Sequence, residues 1–243
     1  MPEERRIAVY GGSFDPVHNG HLAIARRLTE LLRVDEFLLL PAHIAPHKRG
    51  AGVTPALHRH AMLALATQND ERLMISTLEL ESPEKPYTVE TLGRLAHARG
   101  AENLRIVFVM GADSWAEITM WREWERLLTM VDHFVVTRPG NALKLDHVTP
   151  EIIDRVTDLR GAETEEIRRA VRQSVDGRRQ IYFTDAVMMD VSSTAIRHGV
   201  RAGRRGELRS SVPPCVADYI EKYKLYQSER EAQATDVERA RAH

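Results

Sequence analysis

Two histidines, His18 and His21, lie three residues apart just after a glycine turn. The apolar run 7–10 before this turn predicts a short buried strand. Gly11 and Gly12 allow the backbone to turn tightly and to come close to a ligand. A helix is expected to begin beside the histidines, and a helix N-terminus binds phosphate because its N–H groups and its dipole face the ligand. The strand, turn and helix together predict a phosphate-binding crevice. The apolar positions that indicate the helix are Leu22, Ala25, Leu28 and Leu32.

Two simpler interpretations of the histidines compete with this one. A His-x-x-His pair taken alone is more often a surface pair at the start of a helix, here with Asn19 as the expected N-cap. The two rings could instead bind zinc, but the sequence has no cysteine or carboxylate cluster that would complete a tetrahedral site. The preceding strand and the glycine turn favour phosphate binding.

Further polar residues follow other predicted strands. Lys48 comes after a strand predicted at 36–40, and Gly111 and Asp113 come after a buried strand predicted at 104–110. Ligands of a parallel sheet bind beyond the carboxyl ends of its strands. These residues are therefore expected near the two histidines.

Strands that alternate with helical patterns indicate βαβ units. We predict an α/β fold, a Rossmann-like, doubly wound parallel sheet in a domain over 1–200. The pattern changes between about 143 and 179, where helices predicted at 150–159 and 163–175 occupy a place at which a strand is expected. We interpret this stretch as a helical insertion. A C-terminal helical extension with a charged tail is predicted over 201–243.

The composition of the 243 residues is that of an ordinary globular protein, with 28% charged and 43% hydrophobic residues. A formal net charge of −1 disfavours nucleic-acid binding over a large area. Cys215 is the single cysteine, so an intramolecular disulfide is excluded. Apolar runs such as 37–40 are too short to cross a bilayer, and the charged first residues do not resemble a signal peptide. We expect a cytoplasmic chain.

The segment 12–21 resembles the nucleotide-binding signature of the nucleotidylyltransferases, whose His-x-Gly-His motif is formed here by residues 18–21. Its longer form looks like the bacterial nicotinate-mononucleotide adenylyltransferases in particular. Residues 191–197, Val-Ser-Ser-Thr-Ala-Ile-Arg, resemble the second signature of that family, with valine in place of the usual isoleucine. Class I aminoacyl-tRNA synthetases share a similar histidine motif, but their second signature is rich in lysine. The resemblance covers residues 7 to about 140 and 180–226.

The resemblance implies that four residues act on the phosphates of ATP and stabilise the pentacoordinate α-phosphate, without a covalent enzyme intermediate. These catalytic residues are His18, His21, Lys48 and Arg197. Each also has an ordinary structural explanation, since lysines solvate loops and Ser-Ser-Thr is a common helix cap. Asp113 could hold a ribose hydroxyl or serve as an N-cap. The other implied ATP-binding residues are Gly11, Gly12, Ser13, Phe14, Gly111, Asp113, Ser192, Ser193 and Thr194.

The family also has a Tyr-Thr-x-x-Thr-Leu segment, which 87–92 matches, and a tryptophan shortly after the Gly-x-Asp glycine, which Trp121 matches. The resemblance implies that Thr88 holds the carboxylate of the mononucleotide and that the Trp121 indole stacks on its pyridine ring. Asp15 and Arg138 complete the implied substrate side. Taken alone, a tryptophan is more often part of the core, and the other two tryptophans are expected to pack there.

The implied reaction transfers AMP from ATP to nicotinate mononucleotide and yields deamido-NAD and pyrophosphate, with Mg²⁺ held mainly by the ATP phosphates. ATP and nicotinate mononucleotide are the expected partners, without nucleic acid or membrane, and a homo-oligomer stays open. The nearest alternative is another transferase of the superfamily, such as a pantetheine-phosphate adenylyltransferase or a cytidylyltransferase, which Trp121 disfavours. A non-catalytic ATP-binding sensor and a structural zinc protein are the alternatives from other classes.

Overall fold

A computed structural model describes residues 5–43, 53–82, 86–100, 104–137, 143–172, 178–187 and 191–227. Within these residues the strands are β1 Arg5–Gly12, β2 Glu36–Pro41, β3 Leu73–Ile75, β4 Leu104–Gly111, β5 Asp132–Val136, β6 Val156–Asp158 and β7 Ile181–Thr184. The helices are α1 Asn19–Leu32, α2 Ala56–Thr67, α3 Thr88–Ala98, α4 Ala112–Ala116, α5 Trp124–Met130, α6 Pro150–Ile153, α7 Thr164–Arg172, α8 Ser193–Arg201, α9 Arg205–Ser211 and α10 Pro214–Lys222.

The strands form one sheet in the order β3-β2-β1-β4-β5-β7-β6, and every pair is parallel. The chain moves outward in one direction from β1 to β3 and then crosses back to β4 on the other side of β1. This reversal is a topological switch point, where open α/β sheets bind ligands beyond the carboxyl ends of the strands. Because Tyr10 of β1 pairs with Val109 of β4, the glycines that end these two strands lie at the same edge.

Alternate side chains of each strand face opposite sides of the sheet, and each side has its own core. Ala8 and Tyr10 of β1 pack in the cluster that α1, α2, α7, α8, α9 and α10 cover. Ile7 and Val9 pack in the cluster that α3, α4, α5 and α6 cover. Helices on both faces confirm the predicted doubly wound α/β fold. The C-terminal helices α9 and α10 contribute Leu208 and Ile220 to the first of these clusters.

The stretch 143–179 differs from the predicted helical insertion. Its first helix ends at Ile153, and Val156–Asp158 is the strand β6 rather than part of a helix over 150–159. This strand pairs with β7, and the Leu159 N–H donates to the Phe183 carbonyl at 2.8 Å. Pairing with β7 satisfies the backbone N–H and C=O groups of this segment. A short isolated helix would leave such groups without partners at both of its ends. The expectation of helices alone was therefore wrong, whereas the helix predicted from Thr164 is present as α7.

Candidate active site

Packing around the turn at the end of β1 favours its two glycines. A Cβ on Gly11 would lie 2.9 Å from the Phe108 ring, and one on Gly12 would lie 3.1 Å from the Phe14 ring. Phe14 itself has a left-handed backbone with φ of 46°. A side chain at either position would crowd one of these rings, so glycine suits the turn at both positions. Contact of these glycines with ATP stays a prediction.

His18 and His21 form the N-terminal cap of α1. The His21 N–H donates to Nδ1 of His18 and the His18 N–H donates to Nδ1 of His21, both at 3.3 Å. The rings stack with centroids 3.6 Å apart. Because both Nδ1 atoms accept, a neutral ring carries its proton on Nε2, and the Nε2–H is the donor that a phosphate oxygen could use.

The expected N-cap was Asn19, and that prediction was wrong by one residue. His18 occupies the cap position because its Nδ1 accepts the backbone N–H as an asparagine oxygen would. The Asn19 amide instead donates to the Ser210 carbonyl of α9 at 3.1 Å. The surface-pair interpretation also fails in part, since His18 is buried, whereas His21 is partly exposed.

The N-terminus of α8 is bound to the loop between β1 and α1. Ser193 Oγ donates to the Pro16 carbonyl at 3.0 Å, across 177 residues of sequence. Arg197 donates to the Asp15 carbonyl at 2.7 Å and to Thr194 Oγ at 3.3 Å. The structure therefore brings the two signature motifs together. Ser192 caps the helix by accepting the Ala195 N–H, as one of the two expected cap residues.

Gly111 ends β4 beside this loop. A Cβ at Gly111 would meet no heavy atom of the described residues within 4 Å, and its φ of −81° suits any residue. The described residues therefore leave open space beside Gly111, and its contact with ATP stays a prediction. Asp113 is exposed in the first turn of α4, and the N-cap is Gly111, so the capping alternative for Asp113 was wrong.

Thr88 and Trp121 lie in two segments that contact each other through the neighbouring residues Tyr87 and Arg122. Thr88 is the first residue of α3, whose N-cap is Tyr87. The Arg122 guanidinium lies over the Tyr87 ring at 4.8 Å, which connects the start of α3 with the tryptophan segment. The partly buried Trp121 meets Phe108 edge to face at 6.5 Å, and the ring of Phe108 borders Gly11. The structure thus places Trp121 one side chain away from the glycine turn.

All three tryptophans belong to the same core region, in which Trp115 is buried and Trp121 and Trp124 are partly buried. Trp115 is buried, and its indole N–H donates to the Lys144 carbonyl at 3.0 Å. Trp124 packs against the same core cluster. The expected packing role of both is confirmed. Lys48 and Arg138 lie outside the described residues, so their predicted contacts with the phosphates and the substrate stay predictions.

Asp15, predicted on the substrate side, is buried with 3% exposure. Its Oδ1 accepts from the Tyr226 hydroxyl at 2.7 Å, and its Oδ2 accepts from the Thr54 N–H at 3.3 Å. Burial and the Asp15 carboxylate both raise the pKa of Tyr226 above its usual range, so the hydroxyl stays protonated and donates. Both carboxylate oxygens therefore have partners within the protein, and contact with substrate stays a prediction.

Sequence reasoning missed two buried charged residues, Arg59 and Glu79. Arg59 is completely buried on α2, and burial lowers its pKa while nearby Asp15 raises it. Glu79 is also buried, and burial raises its pKa, whereas the Thr91 hydroxyl, the His43 N–H and Arg59 lower it. One signal was available in the sequence, because Arg59 is at i, i+3 and i+4 spacing with buried Met62 and Leu63.

Two negative findings apply to the residues that the structure describes. None of their helices is long and apolar enough to cross a membrane. No group of three or more His, Cys, Asp or Glu side chains among them could hold a metal ion.

Comparisons with known proteins place the chain among related sequences. The cytidylyltransferase-like family model matches residues 9–199. A protein of Symbiobacterium thermophilum named "probable nicotinate-nucleotide adenylyltransferase" is 37% identical over 221 residues, which cover 91% of this chain and 95% of that protein. A protein of the same name from Roseiflexus sp. is 35% identical over 223 residues, which cover 90% of this chain and 97% of that protein. The solved structure of nicotinic acid mononucleotide adenylyltransferase from Plasmodium falciparum, complexed with NaAD, has a TM-score of 0.68 at 20% identity and covers 91% of this chain and 97% of that one. This last similarity shows a shared fold.

Proposed function

Because the chain belongs to the cytidylyltransferase-like family, and within it to the nicotinate-nucleotide adenylyltransferases, we propose that it transfers AMP from ATP to nicotinate mononucleotide. A phosphate oxygen of the mononucleotide attacks the α-phosphorus of ATP, and the bond from that phosphorus to the bridging oxygen breaks. The products are deamido-NAD and pyrophosphate. This is the reaction of an enzyme in NAD biosynthesis.

One observation carries the assignment to these residues. The histidine pair that caps α1 lies at the switch point of the sheet, and the N-terminus of α8 is bound to the same loop. Two helix N-termini thus meet beside the carboxyl end of β1, where N–H groups and dipoles attract phosphate. Adenylyl transfer needs in-line positioning and donors aimed at the charge that develops on the α-phosphate. The Nε2–H groups of His18 and His21 suit that task.

The positions of the described residues support the remaining proposed roles. Arg197 supplies a fixed positive charge beside the loop, because its guanidinium is already held by the Asp15 carbonyl. Gly111 leaves room for the nucleotide at the end of β4. We assign the mononucleotide to the side of Thr88 and Trp121, where backbone N–H groups at the start of α3 would bind its carboxylate. Lys48 and Arg138 are proposed as phosphate and substrate contacts on the family resemblance.

Magnesium is proposed as the cofactor. Mg²⁺ commonly keeps several waters and binds through one or two carboxylates together with substrate phosphates. The described residues contain no cage of carboxylates. We therefore propose that the metal is held mainly by the ATP phosphates. When bound, it neutralises charge on the β- and γ-phosphates. We expect chelation by EDTA to abolish turnover and added Mg²⁺ to restore it. Localisation in the cytoplasm and assembly into a homo-oligomer stay predictions.

The test is pyrophosphate release from magnesium-ATP, with nicotinate mononucleotide and nicotinamide mononucleotide compared side by side. We expect pyrophosphate release with nicotinate mononucleotide and much less with the amide. The reason is that the N–H groups proposed at the start of α3 bind a carboxylate, which the amide lacks. Phosphopantetheine and CTP test the alternative transferases in the same assay. ATP binding by calorimetry without release from any acceptor would contradict the proposal and favour a sensor.

A further inference from the structure

The loop 13–17 is held from inside the protein by side chains outside both signature motifs. The Arg59 guanidinium donates to the Ser13 carbonyl at 2.7 Å, to the His43 carbonyl at 2.9 Å and to the Thr54 carbonyl at 3.0 Å. Ser13 directly follows β1, His43 lies two residues after β2, and Thr54 lies two residues before α2. One completely buried side chain thus joins three segments around the crevice.

Tyr226 holds the same loop from the C-terminal end of the chain. The residues after α10 turn back through left-handed backbone at Lys224 and Tyr226, with φ of 52° and 66°. The Leu225 N–H donates to the Ile220 carbonyl, and Leu225 packs against the core. The turn brings the Tyr226 hydroxyl to Asp15 across 211 residues of sequence.

A direct path leads from these contacts to the histidines. The Ser13 carbonyl that Arg59 binds belongs to the peptide of Phe14, whose ring meets the His21 ring at 4.9 Å. The His21 ring in turn stacks on His18. A shift of residues 13 and 14 would therefore move the surface on which both imidazoles rest.

On the basis of the proposed function, we infer that Arg59 and Tyr226 are positioning residues that hold the loop 13–17 and thereby set the His18–His21 pair for adenylyl transfer. Neither side chain needs to touch a substrate. Arginine suits this role because its planar fork binds several carbonyls at fixed angles, which a lysine cannot reproduce. A misplacement of about 1 Å in such a site can cost about 100-fold in rate.

The experiment uses two variants, each with a matched control. Arg59→Lys keeps the charge that faces Asp15 but loses the fork. Its control is Arg105→Lys, since Arg105 is also buried and pairs with Asp132 at the amino ends of β4 and β5, away from the loop. Tyr226→Phe removes only the hydroxyl. Its control is Tyr219→Phe. This change removes a hydroxyl that lies 2.9 Å from Nδ1 of His58 and does not contact the loop.

All proteins are assayed at saturating ATP and nicotinate mononucleotide, well below their unfolding temperatures. We expect kcat to fall at least about tenfold for Arg59→Lys and about three- to tenfold for Tyr226→Phe. Both controls should stay within about twofold of the wild type, because the loop keeps its contacts. Long-range ¹H–¹⁵N NMR of the imidazoles should show shifted His18 and His21 signals in the two test variants and unshifted ones in the controls.

Unchanged kcat and unchanged ring signals in both test variants would overturn the inference. A lower kcat without ring shifts would also overturn it, because the effect would not act through the histidines. If Arg59→Lys does not fold, Tyr226→Phe decides alone. A wild-type protein that releases no pyrophosphate rejects the proposed function instead, and the ring signals, which need no substrate, still test the positioning.

Discussion

We predict that His133 makes the stability of this protein depend on pH between about 6.5 and about 4. Its ring is completely buried in the middle of the sheet, on β5 beside Phe108 of β4. Neither ring nitrogen makes a hydrogen bond of normal geometry with any of the described residues. Burial lowers the pKa of His133 from 6.5 to about 4, and the Asp132 carboxylate and the backbone of Val131 offset only part of that effect.

The sign follows from which state takes up the proton first. As pH falls, the unfolded chain binds a proton at His133 near its ordinary pKa, whereas the folded chain does so only near pH 4. Protonation between these values therefore favours unfolding. The contribution of neutral His133 to the free energy of unfolding is fully present above about pH 6.5 and is lost as the pH falls toward 4. A depression of this size corresponds to about 2 kcal/mol at pH 5 and about 3 kcal/mol below pH 4.

The assay is urea unfolding of the wild type and of His133→Leu at pH 7.5 and at pH 5. Leucine is apolar and of similar volume, so the variant should keep the fold and lose less than about 1.5 kcal/mol at pH 7.5. Between the two pH values the wild type should lose about 2 kcal/mol more than the variant. Other titrating groups cancel in this difference. Parallel losses in both proteins would refute the argument, and so would an NMR titration that gives the His133 ring an ordinary pKa.

The other predictions concern the site. His21→Ala should lower kcat by about 100-fold or more while the fold persists, because it removes a donor to the developing charge; a near-normal rate in the pyrophosphate assay would contradict its role. Gly111→Ala should leave the unfolding temperature unchanged or slightly raised, since its Cβ meets no atom of the described residues. The same change should raise the KM for ATP, because the Cβ would occupy space that we assign to the nucleotide. Gly93→Ala, equally free of contacts within α3, is the matched control and should leave that KM unchanged. Trp121→Ala should weaken mononucleotide binding with little effect on the KM for ATP; loss of stability alone, seen by calorimetry, would assign Trp121 to the core.

The sequence alone determined the features that depend on neighbouring residues. Apolar runs, alternating helical periods and turn glycines predicted the parallel α/β sheet and placed the glycine turn, the histidine pair and the start of α8 correctly. Local patterns suffice here because strands, turns and caps follow from the spacing of a few adjacent side chains. The two signatures also sufficed to recognise the family.

Tertiary structure decided what depends on residues far apart in the chain. The strand β6 exists because β7 offers an edge for pairing, and its own sequence is too short to indicate that. Arg59 and Tyr226 meet the loop across 46 and 211 residues, respectively, so no local pattern links them to it. A buried charge is stable only where its partners converge, and that convergence is a property of the folded chain. The sequence predicted the groups that we propose for the chemistry, whereas only the folded chain shows which distant side chains contact the loop beside them.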